Sequence, residues 1–237
     1  MTLGTLYGIG IGPGDPELIT VKGANLLRRC RHVFVPKART AADSLAWSIA
    51  SCHVHPEAAV QELVFPMTTD GVELEQRWRE SARRVAAVLQ GGDDACFLTL
   101  GDPLLYSTYI YLVRALRQVL SGVCVVTVPG VMAFSAAAAL AGFPVGEGRK
   151  PVTIVPASDD LEQVRRALAG GGTVVLMKIG KRLPEVLKLL EDNGVIERSV
   201  LVSRVGLPEE RLETDLRRLK ASGTEAEYLA VILVQAR

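Results

Sequence analysis

Tyr7-Gly-Ile-Gly-Ile-Gly-Pro-Gly-Asp15 is the stretch from which the fold is read. Its first residues belong to an apolar run over 6–11, the pattern of a buried strand. The chain then passes through Gly12, Pro13 and Gly14 into Asp15-Pro16-Glu17. That is a helix start: Asp15 suits the cap, Pro16 the first helical position and Glu17 the positive end of the dipole. Two later stretches have the same form, Leu100-Gly-Asp-Pro-Leu-Leu-Tyr106 and Val128-Pro-Gly-Val-Met-Ala-Phe-Ser135. A strand that stops in such a loop exposes backbone N–H and C=O groups at a sheet edge, with no bulky side chain in the way. Three of them predict one ligand cleft, although the first, taken alone, reads equally well as a tight strand-to-helix turn.

Outward from these loops, strand-like and helical runs alternate. Strands are expected at 6–11, 33–35, 60–64, 95–100 and 123–128, with helices over 16–30, 45–52, 72–90 and 106–120. That alternation predicts a mostly parallel sheet. An alanine-rich helix follows Pro129-Gly130 and stops at Gly142. After the connecting loop Gly146-Glu-Gly-Arg-Lys-Pro151 the pattern restarts, with strands at 152–155, 173–177, 200–204 and 229–234 and helices near 161–168 and 184–193. The fold class expected is α/β, with two α/β domains forming a cleft: residues 1–128, carrying the glycine-rich loop, and residues 129–237.

Composition sets the remaining bounds. The chain has 237 residues, 49% of them hydrophobic and 22% charged, enough for one large domain or two small ones and far from a disordered composition. A net charge of +1 argues against binding nucleic acid by bulk electrostatics, so any anionic ligand must meet local basic residues. The start Met1-Thr-Leu-Gly4 shows no secretory pattern, and the alanine-rich helix falls short of the ~20 apolar residues of a membrane span, so a cytoplasmic location is expected. Cys30, Cys52, Cys96 and Cys124 form no C-x-x-C pair and read as buried, reduced thiols. His53-Val-His55 would place two imidazoles on one strand face, with no third ligand near in sequence, so no metal site is expected.

The first loop resists the two commonest phosphate readings. In a G-x-G-x-x-G frame starting at Gly8 the third glycine is replaced by Pro13, and in the frame starting at Gly10 by Asp15. No acidic residue ends the second strand, which closes Val33-Phe-Val-Pro-Lys37, and no Gly-Lys-Ser/Thr follows for a P-loop. A carboxylate at Asp15 also opposes a pyrophosphate there. A cationic ligand fits better. The sulfonium of S-adenosylmethionine favours carbonyls and carboxylates, which Gly101-Asp102-Pro103 supplies, and the small residues Gly130, Ala133 and Ser135 leave room for an adenosyl group.

Taken together, Gly8-x-Gly10-x-Gly12-Pro-Gly-Asp15 with Leu18, Thr20 and Ala24, then Gly101-Asp-Pro103, then Pro129-Gly-Val131 and the small residues 135–139, resemble the tetrapyrrole (corrin/porphyrin) methylases. The resemblance extends through Val174-Val-Leu-Met-Lys178 and Arg204-Val-Gly-Leu-Pro-Glu-Glu210. Within the family it is nearest to the branch that methylates C(20) of precorrin-2 or cobalt-factor II in cobalamin biosynthesis. Pointers to that branch are residues 12–23, Val33-Phe-Val-Pro-Lys37, Gly101-Asp-Pro-Leu-Leu-Tyr-Ser107 and Leu176-Met-Lys-Ile-Gly180.

The resemblance implies a homodimer of two-domain subunits that binds S-adenosylmethionine in the cleft and leaves S-adenosylhomocysteine, with the macrocycle in a trough beside it. It implies cofactor contacts at Pro13, Gly101, Asp102, Leu105, Met132, Ala133, Met177 and Ala230. The chain departs from the family at Met132, where many members carry Thr or Ser. It also lacks the Asp that the uroporphyrinogen methylases carry near the end of the second strand, having Pro36-Lys37 there.

Methyl transfer to an enamine-like ring carbon is an in-line displacement, governed by holding the carbon about 3–3.5 Å from the methyl group and by excluding water. If a ring proton must be accepted, Asp102 and Tyr106 are the nearest candidates, Asp102 being equally suited to a cofactor or structural contact. Lys37, Arg39, Arg149, Lys178 and Arg204 follow strands or lie in the connector, where they would meet substrate carboxylates; each also suits a solvated surface position. Whether the macrocycle carries cobalt stays open. Two other readings are a methylase of the same fold acting on ribosomal RNA or a translation factor, and a sensor that binds cofactor or tetrapyrrole without turnover.

Overall fold

The computed structural model describes residues 2–38, 44–65, 70–157, 160–222 and 229–236. The chain divides into two units, Met1–Met132 and Ala133–Arg237. The first holds strands β1 (Thr5–Gly10), β2 (His32–Ala38), β3 (Ala59–Phe65), β4 (Ala95–Thr99) and β5 (Cys124–Val128). Its helices are α1 (Val21–Arg29), α2 (Leu45–Ala50), α3 (Gly71–Gln90) and α4 (Tyr109–Val119). The second holds α5 (Ala133–Ala141), β6 (Val152–Pro156), α6 (Leu161–Ala169), β7 (Thr173–Met177), α7 (Leu183–Asp192), β8 (Ser199–Ser203), β9 (Arg211–Glu213), α8 (Leu216–Ser222) and β10 (Ala230–Gln235). None of the described helices is long and apolar enough to cross a membrane.

In the first unit the strands pair in the order β3-β2-β4-β1-β5, every pair parallel. Right-handed crossovers then dictate which face each connection covers. The chain moves one way across the sheet from β1 through β2 to β3, and back the other way from β3 through β4 to β5. Helices α1 and α2 accordingly share one face, where α1 lies against Ile9, and α3 and α4 share the other. On that second face Ala82, Val85, Ala86 and Leu89, spaced as one stripe of α3, pack with Leu112 and Leu116 of α4 over Leu6, Phe34 and Phe97.

The second unit is a mixed sheet, β6-β7-β10-β8-β9, parallel only between β6 and β7. Alternate residues supply two cores. Val175, Val202, Val231 and Leu233 face Ala137 and Ala138 of α5, while Val174, Leu176, Leu201 and Ile232 face α6, α7 and α8.

Four expectations change. The helix expected over 16–30 is broken: Pro16–Leu18 is one 3-10 turn capped by Asp15, and Thr20, extended at φ −69° and ψ 146°, caps α1 anew by accepting from Gly23 N. The helix expected from 106 begins at Tyr109, because Tyr106 has φ 51° and cannot enter it. Cys30 and Cys96 are buried, but Cys52 and Cys124 are exposed, Cys124 because β5 is a sheet edge. His53 and His55 share no strand. His53 ends the 3-10 turn Ser51–His53 and donates through Nε2 to Pro16 O at 3.0 Å, whereas His55 Nδ1 accepts from Glu57 N.

Candidate functional site

Strand β4 sits between β2 and β1, and its connection leaves on the opposite face from those of both neighbours. Crevices therefore open at its C-terminal end, the position where open α/β sheets bind ligands. The three loops singled out in the sequence follow β1, β4 and β5, which are adjacent, so the topology alone brings them together.

Their contact is made by backbone. Ile11 N donates to Thr99 O at 3.0 Å, and Gly12 and Gly101 then form an antiparallel bridge, with Gly101 N donating to Gly12 O at 2.8 Å. Gly12 and Gly101 have φ of 79° and 68°, the left-handed region open to glycine. Gly130 lies against both loops: a Cβ there would fall 2.2 Å from Gly101 O, and one on Gly10 would fall 2.5 Å from Gly130 N.

Asp102 completes the junction. Only 8% exposed, it accepts from Leu104 N through Oδ1 at 2.8 Å and from Gly130 N through Oδ2 at 3.1 Å. Both carboxylate oxygens are thus engaged by amides, one in its own loop and one in the next. Pro13 and Gly101 are buried at this junction, Leu105 and Met132 are half-buried, and Leu104 and Tyr106 project to solvent. Partial desolvation of its ring end raises the Tyr106 phenol above its ordinary value. A feature absent from the sequence reading supports the platform from below. Tyr109, fully buried, lies under Gly8, where a Cβ would meet its ring at 2.2 Å, and its hydroxyl bonds Thr127 Oγ1 at 2.8 Å. The pairing of a glycine in β1 with a tyrosine about a hundred residues on leaves no local sequence signal.

No Lys or Arg occurs between Thr2 and Val21, between Leu100 and Val113 or between Val123 and Gly148. The loops at this edge thus present carbonyls and a carboxylate without cationic side chains, a donor set that suits a sulfonium and opposes a polyphosphate.

In the second unit, antiparallel register places Met177 opposite Val231 and Ala230 opposite Ser203. Met177, Lys178, Ala230 and Arg204 therefore lie along one edge of that sheet. Ala133 opens α5 and packs on the core beneath it. Lys178 and Arg204, each the first residue beyond a strand, have φ of 55° and 53°. With Tyr106 they are the non-glycine residues of positive φ among the described residues, a conformation costing ~1–2 kcal/mol each and concentrated at functional positions. The Arg204 guanidinium is paired with Glu209 at 2.7 Å.

Two of the remaining basic candidates stand apart, and one falls outside the description. Lys37 is the penultimate residue of β2, but its ammonium already meets Glu62 of β3 at 2.8 Å, with side-chain exposures of 20% and 45%. Arg149 lies in the turn before β6, at the end of that strand away from Pro156 and hence away from the edge holding Lys178. Arg39 lies outside the described residues.

Comparison with known proteins agrees with this geometry. Residues 5–220 match the family model of the Tetrapyrrole (Corrin/Porphyrin) Methylases. The chain is 33% identical over 231 residues to the cobalt-precorrin-2 C(20)-methyltransferase of Salmonella typhimurium, covering 98% of this chain and 96% of that one. It is 30% identical over 240 residues to the precorrin-2 C(20)-methyltransferase of a Sinorhizobium species, covering 98% and 95%. Among solved structures, a cobalt precorrin-4 methyltransferase superposes with a TM-score of 0.74 at 25% identity, over 97% of this chain and 94% of the other. The fold is shared as well with the uroporphyrin-III C-methyl transferase of Thermus thermophilus, solved with S-adenosyl homocysteine, at a TM-score of 0.69 and 23% identity over 98% and 97%.

Proposed function

The chain belongs to the tetrapyrrole (corrin/porphyrin) methylases, and from that premise we propose that it methylates C(20) of precorrin-2 or its cobalt complex in cobalamin biosynthesis, with S-adenosylmethionine as donor. The carrying observation is the junction of Gly10, Gly12, Gly101, Asp102 and Gly130 at the switch point of the first sheet, in a chain similar along almost its whole length to enzymes of that name.

When bound, the donor supplies a methyl group on a positively charged sulfur. The protein's part is positional. Asp102 locks the loop after β4 onto the loop after β5, so that the carbonyls around Gly101 and Gly130 form a fixed, cation-tolerant surface. Pro13, Leu105, Met132, Ala133, Met177 and Ala230 are the remaining donor contacts in this reading. Tyr106, protonated and partly exposed, serves as a hydrogen-bond donor to the macrocycle instead of a base. Lys178 and Arg204 are the foremost carboxylate ligands, because their strained backbone sets both side chains at one sheet edge. Lys37 and Arg39 act at the periphery of the same substrate in this reading, whereas Arg149, at the other end of β6, does not. The working form is a cytoplasmic homodimer.

The test is an anaerobic turnover assay with methyl-labelled S-adenosylmethionine and either precorrin-2 or its cobalt complex, followed by NMR of the product. Label at C(20) is expected. Label at another ring position would move the protein to a different branch of the family, and absence of label with tight donor binding would overturn the catalytic reading.

A further inference from the structure

At the opposite end of the first sheet, remote from the glycine junction, Cys30 closes α1 and Cys96 is the second residue of β4. Pairing of β2 with β4, His32 opposite Ala95 and Val33 opposite Cys96, brings the two cysteines to the same end of the sheet. The two thiols lie close enough to influence each other's acidity. The Cys30 sulfur also lies 3.2 Å from Asp94 O and 3.4 Å from His32 O. Cys96 is wholly buried, and Cys30 is 6% exposed. That small exposure has an outlet, because Cys30 lines a cavity of about 400 Å³ together with Tyr7, Arg29, Arg31, His32 and Asp94. The neighbouring Cys96 thiol, helped by the backbone amides of His32 and Cys96, holds the Cys30 thiol below its ordinary range against the opposing effect of burial. The same contact, together with burial, pushes Cys96 up. Cys30 is therefore the sulfur that meets the cavity and Cys96 the enclosed neighbour behind it, the arrangement of a reactive and a resolving cysteine.

We propose that Cys30 and Cys96 form a peroxide-oxidisable dithiol that closes to an intramolecular disulfide. In the first step the Cys30 thiolate attacks a peroxide oxygen; the S–O bond forms, the O–O bond breaks, and hydroxide leaves and is protonated to water. In the second, the Cys96 sulfur attacks the Cys30 sulfur; the S–S bond forms, the S–O bond breaks, and the departing hydroxide takes the Cys96 proton. Two thiols and one hydrogen peroxide give one disulfide and two waters, each sulfur losing one electron. The site is independent of the methyl-transfer reading, since none of its residues belongs to the loops after β1, β4 or β5.

The experiment uses the full chain with the exposed cysteines removed, Cys52→Ser and Cys124→Ser. It is titrated with hydrogen peroxide, then denatured, alkylated and mapped by peptide mass. The expected result is joint loss of both remaining thiols, a cross-linked peptide pair containing residues 30 and 96, and full recovery with dithiothreitol. In Cys96→Ala the oxidised species is instead a sulfenic acid on Cys30, captured by dimedone. Oxidation of Cys30 with Cys96 left alkylatable would overturn the proposal, as would no thiol loss from the folded protein at peroxide levels that consume both thiols after unfolding. Mapping the unsubstituted chain gives the same decision should a variant fold poorly.

Discussion

Asp102 Oδ2 accepts the Gly130 N–H at 3.1 Å, joining loops separated by 28 residues of chain, while its other oxygen holds Leu104 N. With both oxygens engaged by amides, Asp102 is a clamp between the loops after β4 and β5. Asp102→Asn keeps the shape but turns an NH₂ toward one of these donors, a loss of about 1–3 kcal/mol. Calorimetry should show weaker binding of S-adenosylhomocysteine by roughly tenfold, with the pH profile of kcat unchanged in form. A fall in kcat with unaltered cofactor affinity would instead make Asp102 a proton acceptor.

Gly130→Ala tests the closeness of the loops. Its Cβ would fall 2.2 Å from Gly101 O, a backbone atom with no rotamer to yield. The loops must separate, at a cost of about 1–3 kcal/mol. Cofactor binding should be lost while the far-ultraviolet circular dichroism of the sheet persists.

Lys178 and Arg204 oppose stability and function in a measurable way. Lys178→Gly relieves a left-handed conformation worth ~1–2 kcal/mol but adds about 0.5–1 kcal/mol of chain entropy cost, a net stabilisation of about 0–1.5 kcal/mol. Its melting temperature should match or exceed that of the parent, while KM for the tetrapyrrole rises and KM for the donor stays constant. Arg204→Gly should behave alike. An unchanged KM in both would remove them from the substrate site.

Lys37 and Glu62 give a contrasting pair. Their partly exposed ion pair contributes about 0–1 kcal/mol, so neither substitution should unfold the protein. If Lys37 serves substrate carboxylates, Lys37→Met raises KM and Glu62→Gln, which frees the ammonium, lowers it. Equal, small effects from both would confine the pair to strand pairing.

Tyr109 predicts alkaline behaviour. Burial, with the Thr127 hydrogen bond opposing, raises its folded-state pKa above the ordinary value near 10. The unfolded chain then loses this proton first, so the contribution is complete below about pH 10 and is lost as pH rises through the folded-state value. Thermal melts between pH 8 and 11 should decline less steeply in Tyr109→Phe, which also forfeits about 1 kcal/mol with the Thr127 bond.

Much of this was legible in the sequence because parallel strands buried on both faces read as continuous apolar runs. β7 falls where residues 173–177 place it, and the three glycine loops fall after the adjacent strands β4, β1 and β5 at one end of the first sheet. What escaped depends on partners distant in sequence. Thr20 looks like an ordinary helix residue until its side chain is seen to cap Gly23. Lys37 looks like a free cation until β3 sets Glu62 beside it. Cys124 lies in an apolar run like Cys96, yet β5 is an edge strand and β4 is interior, a distinction held in strand order alone. β9, three residues long, is too short to carry a period, and the left-handed backbone at Tyr106, Lys178 and Arg204 has no compositional mark.

The contact of Gly10, Gly101 and Gly130 also sets an order of events during synthesis and folding. β1 leaves the ribosome first, but the strands that flank it, β4 and β5, lie about ninety and one hundred and twenty residues downstream. Closing those two long loops is the slow, entropically costly step for such a topology. The glycine-rich segment after β1 therefore waits, without its neighbouring loops, until Gly130 has been made and docked, and on the proposed reading donor binding would report the last long-range pairing in the first unit.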